Sequence, residues 1–299
     1  MALLIITTIL WAFSFSLIGE YLAGSVDSYF SVLMRVGLAA LVFLPFLRTR
    51  GQSPRTIVLY MLVGAMQLGI MYLLAFRAYL YLTVSEFLLF TVFTPLYITL
   101  IYDLLSGRKL RWGYLLSAAL AVLGAAIIRY DKVSEHFWTG LLLVQLSNLC
   151  FAIGMVGYKR LMEVRPMPQH NAFAWFYVGA FIVAVAAWFM LGNAQKLPTT
   201  TLQWSVLVWL GVVASGLGYF MWNYGATQVD AGTLGIMNNV HVPAGLLVNL
   251  AIWQEQPHWP SFISGALVIL ASLWVHRRWV APHSGQTADD RRRGSAQSE

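Results

Sequence analysis

Apolar residues along this chain gather in runs of about 17–25, separated by short polar joins. Ten such runs can be counted, at roughly 2–22, 28–47, 57–79, 83–105, 112–129, 138–158, 170–191, 203–226, 232–253 and 259–279. A helix of that length crosses a hydrocarbon core roughly 30 Å thick. The pattern therefore predicts an all-α integral membrane protein with ten transmembrane helices. Pro and Gly mark several joins, as in Gly51-Gln52-Ser53-Pro54, Pro166-Met167-Pro168 and Gln256-Pro257-His258-Trp259-Pro260. No loop is long enough for a soluble domain. The segment 281–299, ending TADDRRRGSAQSE, is polar and is expected to be a disordered cytoplasmic tail.

Composition supports this picture. Of 299 residues, 59% are hydrophobic and 10% charged, against about 25% charged in a soluble domain. The net charge of +7 does not point to nucleic acid, because Lys and Arg sit in short clusters between apolar runs. Met1 to Leu22 lacks the basic n-region of a cleavable signal. With the N-terminus cytoplasmic, fourteen Lys and Arg fall on the inner side: Arg48, Arg50, Arg55, Arg108, Lys109, Arg111, Lys159, Arg160, Arg165, Arg277, Arg278 and Arg291 to Arg293. Only Arg129, Lys132 and Lys196 fall outside. By the positive-inside rule both termini are expected in the cytoplasm.

The chain also repeats itself. Setting Pro95 against Pro243, with a one-residue gap in the next loop, pairs Trp112 with Trp259, Ala119 with Ala266 and Leu123 with Leu270. Two halves are expected, at 1–132 and 133–280. Five spans per half is an odd number, so the halves lie inverted, the arrangement of many secondary transporters with a substrate site near the midplane.

Polar residues inside the runs are the candidates for chemistry, because an ionisable group costs roughly 2.5–3.5 kcal/mol at a helix centre on insertion scales. Two helix–turn–helix stretches are rich in them. In AFRAYLYLTVSEFLLFTVFTP (75–95), Arg77 near the end of one run and Glu86 one turn into the next lie on either side of a short connection, and Phe90 follows. They can pin the hairpin as a salt bridge. Alternatively, Arg77 receives a substrate carboxylate while Glu86 takes a proton or releases the arginine. In YFMWNYGATQVDAGTLGIMNNVHVP (219–243), Asn223 shares a helical face with Tyr219 and Trp222, and Asn238, Asn239 and His241 open the next run. Asn amides donate and accept, which suits a cyclic urea or an amino acid; as interhelical links each pair contributes about 0.6 kcal/mol. His241 is a proton carrier or a neutral core residue. Gln145 and Asn148 lie at i and i+3. Trp11, Tyr72, Trp175 and Trp222 lie deep enough to pack a small apolar ring, whereas Trp112, Trp138, Trp204 and Trp259 sit at span ends, as interfacial belts do. Arg35 reads as structural. Cys150 stands alone and one histidine makes no metal site, so no metal or cofactor is expected. No P-loop, nucleophile elbow or HExxH occurs, so ATP-driven and hydrolytic activities find no motif.

PLYITLIYDLLSGRKLRWGYLLSAALAVLGAAII (from Pro95) and PAGLLVNLAIWQEQPHWPSFISGALVILASLWV (from Pro243) resemble the ends of the two EamA repeats of the drug/metabolite transporter superfamily. Leu10-Trp11-Ala12 and Arg35 before VGLAALVFLPF resemble the start of the first repeat. The likeness spans about 3–279 and is specific for the fold. Arg108 departs from the family's acidic residue in the loop between spans four and five, while Glu255 occupies the matching place in the second half. The resemblance implies a non-enzymatic carrier in a bacterial inner membrane. Its expected partners are the lipid bilayer, a small organic acid and protons as a candidate coupling ion. The cavity is expected between spans 1, 3, 4 and 6, 8, 9. Export of amino acids or other metabolites, and a non-transporting scaffold, are the other readings open at this point.

Overall fold

The computed structural model describes residues 2–105, 135–229, 237–238, 240 and 244–254, with scattered positions between 116 and 127 and between 259 and 274. Among them are the helices α1 (Ala2–Tyr21), α2 (Ser28–Phe43), α3 (Pro54–Gly64), α4 (Met71–Ala78), α5 (Val84–Thr91), α6 (Thr94–Leu105), α7 (Glu135–Val164), α8 (Gln169–Leu191), α9 (Thr201–Trp209) and α10 (Gly218–Thr227). Seven stretches of helix among the described residues are long and apolar enough to cross a membrane. Most of spans five and ten of the sequence reading, and the start of span nine, lie outside the described residues.

Helix starts follow local side-chain chemistry. Asp27 accepts from the Phe30 N–H at 2.9 Å, and Ser53 accepts from Thr56 with Pro54 at the first helical position. Thr83 and Thr200 each form a reciprocal capping box, with Glu86 and Gln203. Each satisfies backbone donors that a helix end otherwise leaves open.

Two of the spans are wound unevenly. A π-type segment at Ala65–Ile70 joins α3 to α4, and another at Leu210–Leu217 joins α9 to α10. Inside a bilayer no water can satisfy a freed carbonyl, and side chains do so here. Trp11 Nε1 donates to the Ala214 carbonyl at 3.0 Å. The Tyr177 hydroxyl reaches the carbonyls of Ser215 and Gly216 at 2.6 and 3.0 Å. The break between α5 and α6 obeys the same rule. Pro95 has no N–H for the Thr91 carbonyl, and the Thr94 hydroxyl donates to it instead at 2.7 Å.

Elements from the first and second halves of the chain pack against one another rather than apart. Helix α8 lies against α2 and α3, α7 against α4 and α6, and α10 against α1. Small residues allow the closest crossings. At the α3–α8 crossing a Cβ on Gly64 would collide with the Phe176 carbonyl, and one on Gly179 with the Met61 carbonyl. Gly154 of α7 receives the Gln67 side chain in the same manner.

Candidate functional site

The uneven winding and the cross-half packing leave a cavity of about 90 Å³ in the middle of the bundle. Aromatic rings make most of its wall. Trp11 of α1 lies with its ring centroid 4.6 Å from Tyr219 of α10, and Tyr219 meets Tyr72 of α4 edge-on at 5.8 Å. Phe15, Phe76, Tyr79, Phe87 and Phe151 add further rings, and Ile18, Met71 and Ala75 fill between them.

The polar lining is mostly engaged by backbone. Asn148 Nδ2 donates to the Phe90 carbonyl at 2.9 Å, an acceptor near the end of α5. Ser147 donates to Met71 O, Thr91 to Leu88 O and Ser14 to Leu10 O. Asn238 is 1% exposed, and its Nδ2 has no hydrogen-bond partner among the described residues. Arg35 of α2 is 3% exposed and lines the same cavity.

Of the residues singled out from sequence, Trp11, Tyr72, Tyr219, Asn148 and Asn238 meet at this wall. Others lie behind or away from it. Trp222 is fully buried beneath Trp11, 5.0 Å between ring centroids, and donates to the Met155 sulfur. Asn223 forms a reciprocal amide pair with Gln67, at 2.9 and 3.0 Å, with both residues 0% exposed. Gln145 donates to the Phe90 carbonyl and accepts from the Tyr97 hydroxyl. The Phe90 ring packs edge-on against Phe137. Trp175 is half-buried near a helix end, with its indole N–H on the Arg48 carbonyl.

Arg77 and Glu86 form no ion pair with each other. The Arg77 guanidinium carbon stands 5.9 Å from the centre of the Tyr29 ring, outside the lining. Glu86 is buried, and its carboxylate accepts from the Thr83 N–H at 2.9 Å. Asn239 and His241 lie outside the described residues.

The sequence reading treated Arg35 as structural and did not single out Gln67, Ser215 or Asn249. Gln67 and Asn249 carried a usable signal as lone amides inside apolar runs. Asn249 accepts from Ser16 and donates to Ser85, tying α1 to α5. Ser215 carried none, since a serine between glycine and alanine reads as packing.

A polytopic helical bundle enclosing a small, aromatic and polar cavity has the architecture of a membrane solute carrier. The chain belongs to the EamA-like transporter family, which matches residues 1–130 and 138–277. It is a multi-pass protein of the bacterial inner membrane. It is 83% identical over all 299 residues, and over all of that protein, to the "Biotin transporter" of Escherichia coli K12. A "Probable biotin transporter" of Pseudomonas aeruginosa is 55% identical over 279 residues, covering 93% of this chain and 97% of that one. A "Probable terminal-alkyne amino-acid exporter" of Streptantibioticus cattleyicolor is 20% identical over 184 residues, covering 62% and 61%. A crystal structure at 17% identity shares the fold with a TM-score of 0.63, covering 92% of this chain and 95% of that one.

Proposed function

We propose that this protein is a secondary-active importer that carries biotin across the inner membrane by alternating access. The observation that carries the reading is the 83% identity, end to end, with the E. coli biotin transporter. The stretch LGIMNNVHVPAGLLVNLAIW (234–253) is itself similar to the enterobacterial permease. The chain is read as ten helices in two inverted five-helix repeats, 1–132 and 133–280, with both termini cytoplasmic. The Lys and Arg asymmetry and the pairing of Pro95 with Pro243 support that reading. The weaker likeness to an amino-acid exporter, over 62% of the chain, favours the alternative direction and substrate less.

Trp11, Tyr72 and Tyr219 would pack the fused rings, with Asn148 and Asn238 beside the ureido group. Asn239 and His241, next in the chain to Asn238, remain candidates for the same end of the site. The cavity of about 90 Å³ is smaller than the roughly 300–1,000 Å³ of most small-molecule sites. A site this small is consistent with a wall that moves to admit substrate, as in alternating access.

Uptake of labelled biotin at nanomolar concentration by an auxotroph lacking its own route is the test. Cells carrying the gene should show saturable uptake. Ala75→Phe, which adds a ring at the lining, should cut uptake at least about tenfold, while Leu41→Phe on an exposed face should leave it unchanged. No uptake by protein shown to reach the membrane would reject biotin, and amino-acid export would be assayed next.

Glu86 is the proposed carrier of a coupling proton. Glu86→Gln keeps a capping-box side chain, so the fold should survive. Accumulation against a gradient should then be lost while exchange persists. Unchanged accumulation excludes Glu86.

A further inference from the structure

Arg35 is a buried cation with no anion beside it among the described residues. Its Nε donates to Ser215 Oγ at 3.0 Å and its Nη2 to the Tyr72 hydroxyl at 2.8 Å. Its guanidinium carbon lies 4.2 Å from the Tyr72 ring centre and 5.5 Å from that of Phe76. The two hydrogen bonds use two of five N–H groups. No carboxylate among the described residues pairs with the guanidinium; the ion pair found there is Arg160 with Glu163, on an exposed face. An unpaired charge is costly to bury, and in membrane proteins such groups face a cavity or a partner.

The rest of the lining explains what the cavity asks of its occupant. Ser14, Thr91, Thr94, Ser147 and Asn148 all spend donors on main-chain carbonyls. Arg35 keeps N–H groups beyond its two hydrogen bonds, and Asn238 Nδ2 has no acceptor among the described residues. Such a cavity offers donors at Arg35 and at Asn238 beside an apolar wall. It fits an acid whose far end carries a neutral acceptor. We infer that Arg35, held in place by Ser215 and Tyr72, is the seat of the substrate carboxylate, with Asn238 donating to a carbonyl at the other end. The seat lies on α2 and draws on α4 and the 210–217 segment, so both halves of the chain build it. Filling it neutralises the buried cation. This assignment rests on the transport reading above and moves the carboxylate contact from Arg77 to Arg35.

The experiment compares biotin with biotinamide, in which a neutral carboxamide replaces the anionic carboxylate, on purified full-length protein in liposomes. Wild type should bind biotinamide about 100-fold more weakly than biotin. In Arg35→Gln the affinity for biotin should fall by about that factor, with biotinamide within a few-fold of wild type. Tyr72→Phe should raise the KM for biotin more than that for biotinamide. Arg77→Ala should alter neither. A wild type that treats acid and amide alike, or an Arg35→Gln protein that still prefers the acid, overturns the seat. If Arg35→Gln does not fold, Tyr72→Phe decides: a KM ratio of acid to amide unchanged from wild type overturns the seat. If wild type neither binds nor carries biotin, the transport reading falls. The seat is then read from the thermal midpoint in pentanoate against pentanamide. A higher midpoint in pentanoate alone supports it, and equal midpoints overturn it.

Discussion

Gly179→Val is expected to leave little or no folded protein in the membrane. At the α3–α8 crossing the Gly179 Cα faces the Met61 carbonyl, and Gly64 faces the Phe176 carbonyl in return. An added side chain meets backbone on the partner helix, and no rotamer change can relieve that. Separating the helices would open the packing of α8 on α2 and α3 together. The cost should reach or exceed the roughly 1–3 kcal/mol usual for overpacking. Gly157→Ala is the control, because its added methyl meets only the Val63 Cγ2 atom, at 3.3 Å. Size-exclusion profiles of a fluorescent fusion in mild detergent read the result. A monodisperse Gly179→Val peak at wild-type yield would mean that the helices do not cross at these glycines.

The second large effect concerns the Gln67–Asn223 pair. Gln67→Met keeps the shape of the side chain and removes both of its hydrogen bonds. The Asn223 amide is then left fully buried with no partner, which costs about 1–3 kcal/mol. Asn223→Ala does the same to Gln67. The double variant leaves no orphan, so it should be less destabilised than the two single losses added together. A coupling of about 1 kcal/mol is expected for two interhelical hydrogen bonds at roughly 0.6 kcal/mol each. Thermal midpoints of the four proteins close the cycle, and additive losses would show that the two amides do not pair in the membrane.

The amide pair also marks the limit of reading the site from sequence. Asn223 was visible there as a polar group in an apolar run, and its burial in the bundle follows from that. Its partner was not visible, because Gln67 lies 156 positions away on a helix from the other half. Arg77 and Arg35 make the same point. Both are cations within apolar runs, and the sequence reading favoured Arg77 because a basic residue at the position of Arg35 belongs to the family's pattern and reads as structural. Folding instead turns Glu86 back onto the Thr83 N–H and leaves Arg77 beside Tyr29. Arg35 goes to the cavity because the 210–217 segment brings Ser215 to it.

By itself the sequence determined that this is a helical membrane protein of the EamA-like family and where most of its described spans run. Span length, end caps and the exclusion of charge from hydrocarbon are local properties, written in consecutive residues. Only the tertiary structure decided which polar residues face the cavity and which pair with each other. That depends on crossing points set by Gly64, Gly154 and Gly179 and on the widened turns at 65–70 and 210–217, which bring side chains far apart in the chain to within hydrogen-bonding distance.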